Sequence, residues 1–258
     1  MTGGFFLVDF DMILFLMFMG FIAAFIDAIV GGGGLIGLPA LLWTGISPVV
    51  ALGTNKVAAV MGALTSFVTF IRSGKVNFSI IKILFPLAFI GSLCGVVVVR
   101  QIPPDFLRPL VIMLLIGVTI YSLLKKDWGE ASTYDGITVR RLYLSGLIAF
   151  LLGFYDGFFG PGVGSFLMFA FLFLGFDFIE AAGNARALNF ASNIAAAGLF
   201  MYFDLVNYAY ALPMGLAMIA GAYCGAKIAL KKGASYVRPL FILMTTILIG
   251  KQLWTLWQ

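Results

Sequence analysis

DAIVGGGGLIGLPAL, residues 27–41, sets an aspartate and four consecutive glycines inside an apolar run. In water such a run is a flexible linker. In a bilayer it is costly, because unwound backbone must find a partner for every N–H and C=O. Composition decides between the two solvents. Of 258 residues, 62% are hydrophobic and 10% are charged, with a mean hydropathy of +1.09. Soluble domains hold roughly 45–50% apolar and about 25% charged residues. The surplus cannot be hidden in a water-soluble fold of this length, so the chain reads as a polytopic membrane protein. Its apolar runs reach the roughly 17–25 residues that cross a hydrocarbon core as helix. The short alternating strands of a membrane barrel are not visible.

The N-terminal run is expected to be a retained helix over 12–30 rather than a cleaved signal. Asp9 and Asp11 precede it in place of Lys or Arg, and no small-residue cleavage pattern follows. The basic residues are scattered over short loops. They therefore suit membrane orientation better than nucleic-acid binding, and no nucleic-acid partner is expected.

An internal repeat organises the chain. A shift of 130 places Gly53 on Gly183, Lys56 on Arg186, Phe70 on Phe200, Cys94-Gly95 on Cys224-Gly225 and Arg108-Pro109-Leu110 on Arg238-Pro239-Leu240. A shift of 129 places Phe25, Asp27, Gly31 and Gly33 on Phe154, Asp156, Gly160 and Gly162. Each half then reads as a helix (12–30, 142–157), a glycine break, a short apolar piece (35–44, 163–176) and three longer helices. The longer helices are expected at 48–71, 78–99 and 106–124, then at 179–202, 207–230 and 236–257. The domain organisation is a first transmembrane repeat over 1–124, a cytoplasmic linker over 125–141 and a second repeat over 142–258.

Counting Lys and Arg sets the orientation. Loops 72–82, 125–141 and 227–238 hold eleven, whereas Arg100, Arg108 and Lys251 lie on the opposite side. The first set is expected in the cytoplasm and both termini outside. Corresponding loops of the two halves then fall on opposite sides of the membrane. The fold class expected is all-α, with two inverted-topology repeats, each a glycine-broken hairpin followed by three transmembrane helices. Many secondary transporters share that architecture. Duplication without a transport role is the plainer alternative.

Both breaks, Gly31 to Gly34 and Gly160 to Gly164, follow an intramembrane aspartate by four residues. Irregular backbone at depth is tolerated where it lines a cavity or is buried in protein. A helix beginning at such a tip aims N–H groups and the positive end of its dipole outward, which suits an anion. Close packing of helices through small residues is the other use of such glycines. Lys56 and Arg186 fall near the bilayer midplane, where a lone cation is expensive and needs a counter-charge. They either form structural ion pairs with Asp27 or Asp156, or complete an oxyanion site. Arg186, Asn189 and Asn193 share a helix face with Ser192 beside them, as do Asn55, Gly62, Ser66 and Thr69 with Thr54 and Lys56 flanking. Their amides and hydroxyls suit oxygen-rich ligands. Asp27 and Asp156 serve either as counter-ions or as proton carriers. With no histidine, the commonest proton relay and metal ligand is missing, and neither a metal centre nor a cofactor is expected. Cys94 and Cys224, in GSLCG and GAYCG, read as packing positions.

FIDAIVGGGG with GTNK in the first half, and GFYDGFFGPGVGSF with NARALNFASN in the second, resemble the TauE/SafE family of sulfite exporters over nearly the whole chain. That resemblance implies a bacterial inner-membrane carrier, not an enzyme, exporting sulfite or organosulfur anions, with proton coupling proposed for some members. It carries Asp27, Gly31, Gly32, Gly33, Gly34, Thr54, Asn55 and Lys56 as the first half's signature. In the second half it carries Asp156, Gly160, Gly162, Arg186, Asn189, Ser192 and Asn193. The implied partners are a small sulfur-containing anion and the lipid bilayer. An uptake carrier, a passive anion channel, a non-transport membrane scaffold and a homo-oligomeric state stay open.

Overall fold

A computed structural model describes residues 10–103, 134, 136 and 138–233. The expected third helices, 106–124 and 236–257, and most of the 125–141 linker lie outside the described residues. Within them are eight helices and no strand: α1 Phe10–Val30, α2 Gly34–Trp43, α3 Pro48–Arg72, α4 Phe78–Val99, α5 Val139–Phe158, α6 Val163–Phe173, α7 Phe178–Tyr202 and α8 Tyr208–Lys232. Of these, α1, α3, α4 and α8 are long and apolar enough to cross a membrane. The boundaries follow local chemistry. Pro48 opens α3 behind Ser47, where its missing N–H costs nothing. Asp177 caps α7, its Oδ1 accepting the N–H groups of Ile179 and Glu180 at 2.8 Å, a standard use of Asp at that position. Thr138 caps α5 by accepting the Arg141 N–H, so α5 begins three residues before the expected 142.

The halves are interleaved rather than side by side. The first helix of each half packs most extensively on the last described helix of the other: α1 on α8, and α5 on α4. Glycine makes both contacts close. Side chains at Gly221 and Gly225 would overlap the carbonyls of Phe21 and Phe25, and side chains at Gly91 and Gly95 would overlap those of Phe150 and Phe154. The glycines of GSLCG and GAYCG are thus interface positions, while Cys94 and Cys224 are exposed and free.

At the centre, α3 and α7 run antiparallel. Gly53 near the start of α3 sits against Phe200 near the end of α7, and Gly183 sits against Phe70 in the mirrored place. Two reciprocal hydrogen bonds fix their ends. The Asn207 N–H donates to Thr54 Oγ1 at 2.9 Å, and the Asn77 N–H donates to Asn184 Oδ1 at 2.8 Å. Thr54 is fully buried. Thr54→Val keeps its shape and strands the Asn207 N–H, so a loss of about 1–3 kcal/mol is expected. Thermal melting in detergent, compared with the reciprocal Asn184→Leu, reads that loss.

Candidate functional site

The site is built where the two glycine breaks cross. α1 stops at Val30 because Gly31 takes a left-handed φ of +85°, a conformation that costs glycine little. Asp27 holds the break that follows it. Its main-chain O accepts the Gly31 N–H at 2.9 Å, and its Oδ1 accepts the Gly33 N–H at 3.1 Å. In the second half Gly160 and Gly162 take φ of +96° and +86°, and the Tyr155 hydroxyl ties the tip by donating to the Pro161 O at 2.8 Å. The tips touch. Ser165 N–H donates to Gly31 O at 2.9 Å, and Ser165 Oγ donates to Val30 O at 2.8 Å. A side chain at Gly31 would collide with the Gly164 backbone, and one at Gly34 would crowd Pro161.

Each buried cation pairs with the aspartate of the other half. Lys56 Nζ lies 2.5 Å from Asp156 Oδ1, and Ser192 Oγ donates to Asp156 Oδ2. Arg186 Nη1 donates at 2.6 Å to both Asp27 Oδ2 and Asp27 O, while its Nη2 reaches Gly164 O at 3.4 Å. Lys56 and Arg186 are repeat mates, and so are Asp156 and Asp27. The ion pairs are therefore reciprocal, like the hydrogen bonds at the helix ends. Burying four charges is tolerable only because each meets an opposite charge and further hydrogen bonds. Both cations are thus paired with aspartate in this structure.

Beside the crossing lies a small, partly open cleft. Its wall includes Asp27, Asn55, Lys56, Asp156, Asn189 and Asn193, with Gly31, Gly33, Gly34, Gly160 and Gly162 at the tips. Eleven of the fifteen signature residues, Lys56 included, thus converge on one space, and Gly62 and Ser66 of the α3 face join them. Gly32, Thr54, Arg186 and Ser192 are not on the wall. Thr54 serves the α8 cap, Arg186 lies behind the tips, and Ser192 reaches the space only through Asp156. The signature residues did not include Ala23, Ala24, Ala59, Ala63, Gly164 and Met218, which also line it. Their signal is visible in retrospect on α3, where Ala59, Gly62, Ala63 and Ser66 continue the Lys56 face at helical spacing. Small residues there leave the space empty. No cluster of three or more metal-ligating side chains occurs among the described residues.

Helices long and apolar enough to span a membrane, with a polar cleft at crossed helix breaks, suit a multi-pass membrane transporter. Residues 16–251 match the family model described as sulfite exporter TauE/SafE. The chain belongs to the TauE/SafE family. It is 37% identical over 243 residues to a probable membrane transporter protein, ORF9, of Sinorhizobium sp, covering 93% of this chain and 91% of that one. It is 36% identical over 248 residues to a probable membrane transporter protein of Haemophilus influenzae, covering 96% of both chains. The probable membrane transporter protein YfcA of Escherichia coli K12 is 36% identical over 243 residues, covering 93% and 88%. No solved structure matches the chain.

Proposed function

We propose that this protein is a secondary carrier of the bacterial inner membrane that exports sulfite or related organosulfur and sulfur oxyanions by alternating access. The observation that carries the proposal is the cleft at the crossed tips. It offers an ammonium at Lys56, the side-chain amides of Asn55, Asn189 and Asn193, and glycine backbone that a small oxyanion can approach closely. Amide and ammonium donors suit several oxygens at once. Sulfur oxyanions come from the family description, and export comes with it.

Alternating access is supported by the arrangement of the mates. α3 and α7 run antiparallel across the centre, as they must if the halves enter the membrane from opposite sides, the inverted arrangement that underlies rocking in many carriers. The excess of Lys and Arg in loops 72–82, 125–141 and 227–238 supports cytoplasmic placement of those loops and external termini.

Ala59→Leu tests the site without touching an ion pair. Ala59 lines the cleft from α3, and leucine is a good helix former that fills the space. Wild-type protein in liposomes is expected to exchange labelled sulfite, and sulfite is expected to raise its melting temperature. Saturation to about 100 times Kd corresponds to roughly 2.7 kcal/mol of stabilisation. Ala59→Leu should melt like unliganded wild type and lose both responses. Undiminished exchange by the filled variant would place the pathway elsewhere. Absence of exchange and stabilisation with sulfite, thiosulfate and sulfoacetate alike would end the sulfur-anion reading.

A further inference from the structure

We propose that the two reciprocal ion pairs have different jobs, with Lys56–Asp156 an exchangeable pair and Arg186–Asp27 a fixed clamp. The Asp156 carboxylate occupies the seat of the transported monoanion on Lys56, and it yields that seat by taking up one proton. The inference rests on the carrier function proposed above and assigns its coupling.

The hydrogen bonds separate the roles. Arg186 reaches a backbone carbonyl on each tip, Asp27 O and Gly164 O, besides the Asp27 carboxylate. Asp27 in turn holds the Gly33 N–H. Releasing that pair would take apart the crossing itself, and Arg186 is not on the cleft wall. Lys56 has no such ties. Of its three N–H donors, one has a partner among the described residues, namely Asp156. Both Lys56 and Asp156 are on the wall. Ser192 can also release Asp156 without being stranded, because its hydroxyl lies 3.1 Å from the carbonyls of Leu188 and Asn189.

Charge requires the proton. The groups facing Asp156 are Lys56 on α3, Ser192 on α7, Asp27 on α1 and the neighbouring Tyr155, whose hydroxyl is engaged by Pro161. From α4 comes the uncharged Ser92, which donates to Ser192 O. The Lys56 ammonium balances Asp156, and the Arg186 guanidinium balances Asp27. An anion arriving at Lys56 adds a negative charge beside Asp156 with Asp27 nearby, and like charges at close range in low dielectric force protonation of one carboxylate. A proton from water on the freed Asp156 restores neutrality. Lys56 stays an ammonium, and the only covalent change is that proton's transfer, an O–H bond of hydronium breaking as the carboxyl O–H of Asp156 forms. The substrate class is accordingly a monoanion carried with one proton.

Calorimetry of the full-length protein in two buffers of different ionisation enthalpy counts the protons. The probe is sulfite in mildly acid solution, where it is the hydrogensulfite monoanion. Wild type is expected to take up one proton per anion, with affinity falling about tenfold per pH unit as pH rises. Asp156→Asn should bind with no proton uptake and no pH slope, and Asp156→Glu should restore both. Anion binding by wild type without proton uptake overturns the exchange and leaves the carrier reading standing. A proton still taken up by Asp156→Asn overturns the assignment to Asp156. Absence of binding of hydrogensulfite, thiosulfate and sulfoacetate alike at any pH overturns both readings. The wild-type count decides the exchange even where Asp156→Asn does not fold.

Discussion

Arg186→Gln is expected to abolish folding of the crossed tips, and with it every transport activity of the protein. Arg186 is fully buried and donates to Asp27 Oδ2, Asp27 O and Gly164 O. Removing it leaves the Asp27 carboxylate without its counter-charge beside a glycine turn that the same carboxylate caps. Breaking one partner of a buried pair costs about 3–5 kcal/mol, and the Asp27 and Gly164 carbonyls each lose a hydrogen bond from Arg186. Glutamine is too short to span from the α7 backbone to both tips. Arg186→Lys keeps the charge and loses the fork, since an ammonium cannot bridge the two carbonyls and the carboxylate in the same plane. It is expected to fold with reduced stability. Melting curves in detergent, read beside gel-filtration profiles, rank the three proteins. Wild-type-like melting of Arg186→Gln would show that the clamp is not holding the tips together.

Gly31→Ala is the second large effect. At φ of +85° an alanine is strained by roughly 1–3 kcal/mol. Its Cβ would also point into the backbone of Gly164 and Ser165, where nothing is flexible enough to give way. Ser165 N–H and Oγ both reach across at that point, so pushing the tips apart also breaks their mutual hydrogen bonds. Overpacking adds about 1–3 kcal/mol. Gly32→Ala is the control: its added Cβ would be in ordinary contact with Leu35 and Ile26, so it should melt close to wild type. Limited proteolysis and thermal melting of the two alanine variants give the comparison. Equal behaviour of Gly31→Ala and Gly32→Ala would mean the tips tolerate separation.

Much of this was legible before any coordinates, and the reason is periodicity and symmetry. The duplicated spacing of Asp27, Gly31 and Lys56 against Asp156, Gly160 and Arg186 located both breaks and the charged residues around them. Pro48 and the hydrophobic runs placed helix starts within a few residues. What the sequence could not show is which aspartate answers which cation. Pairing within a half and pairing across halves have the same composition, and only the interleaving of α1 with α8 and of α5 with α4 selects the second. Thr54 was read as a ligand group because a hydroxyl beside Lys56 is chemically suitable. Its direction depends on the backbone of a loop 153 residues away, which local spacing does not encode. The wall residues Ala23, Ala24 and Ala59 carry no distinct signal for a related reason: a cleft is defined by what is small, and small residues also mark ordinary helix packing.

The interleaved packing of α1 against α8 has a consequence for how the protein is made. α1 leaves the ribosome first, yet the glycine surface it needs belongs to a helix synthesised nearly two hundred residues later, and Asp27 waits almost as long for Arg186. Until then the nascent chain holds an uncompensated carboxylate and an unpacked hairpin in the membrane. The seam of α1 with α8 and the pair of Asp27 with Arg186 can therefore form only once α7 and α8 have been made.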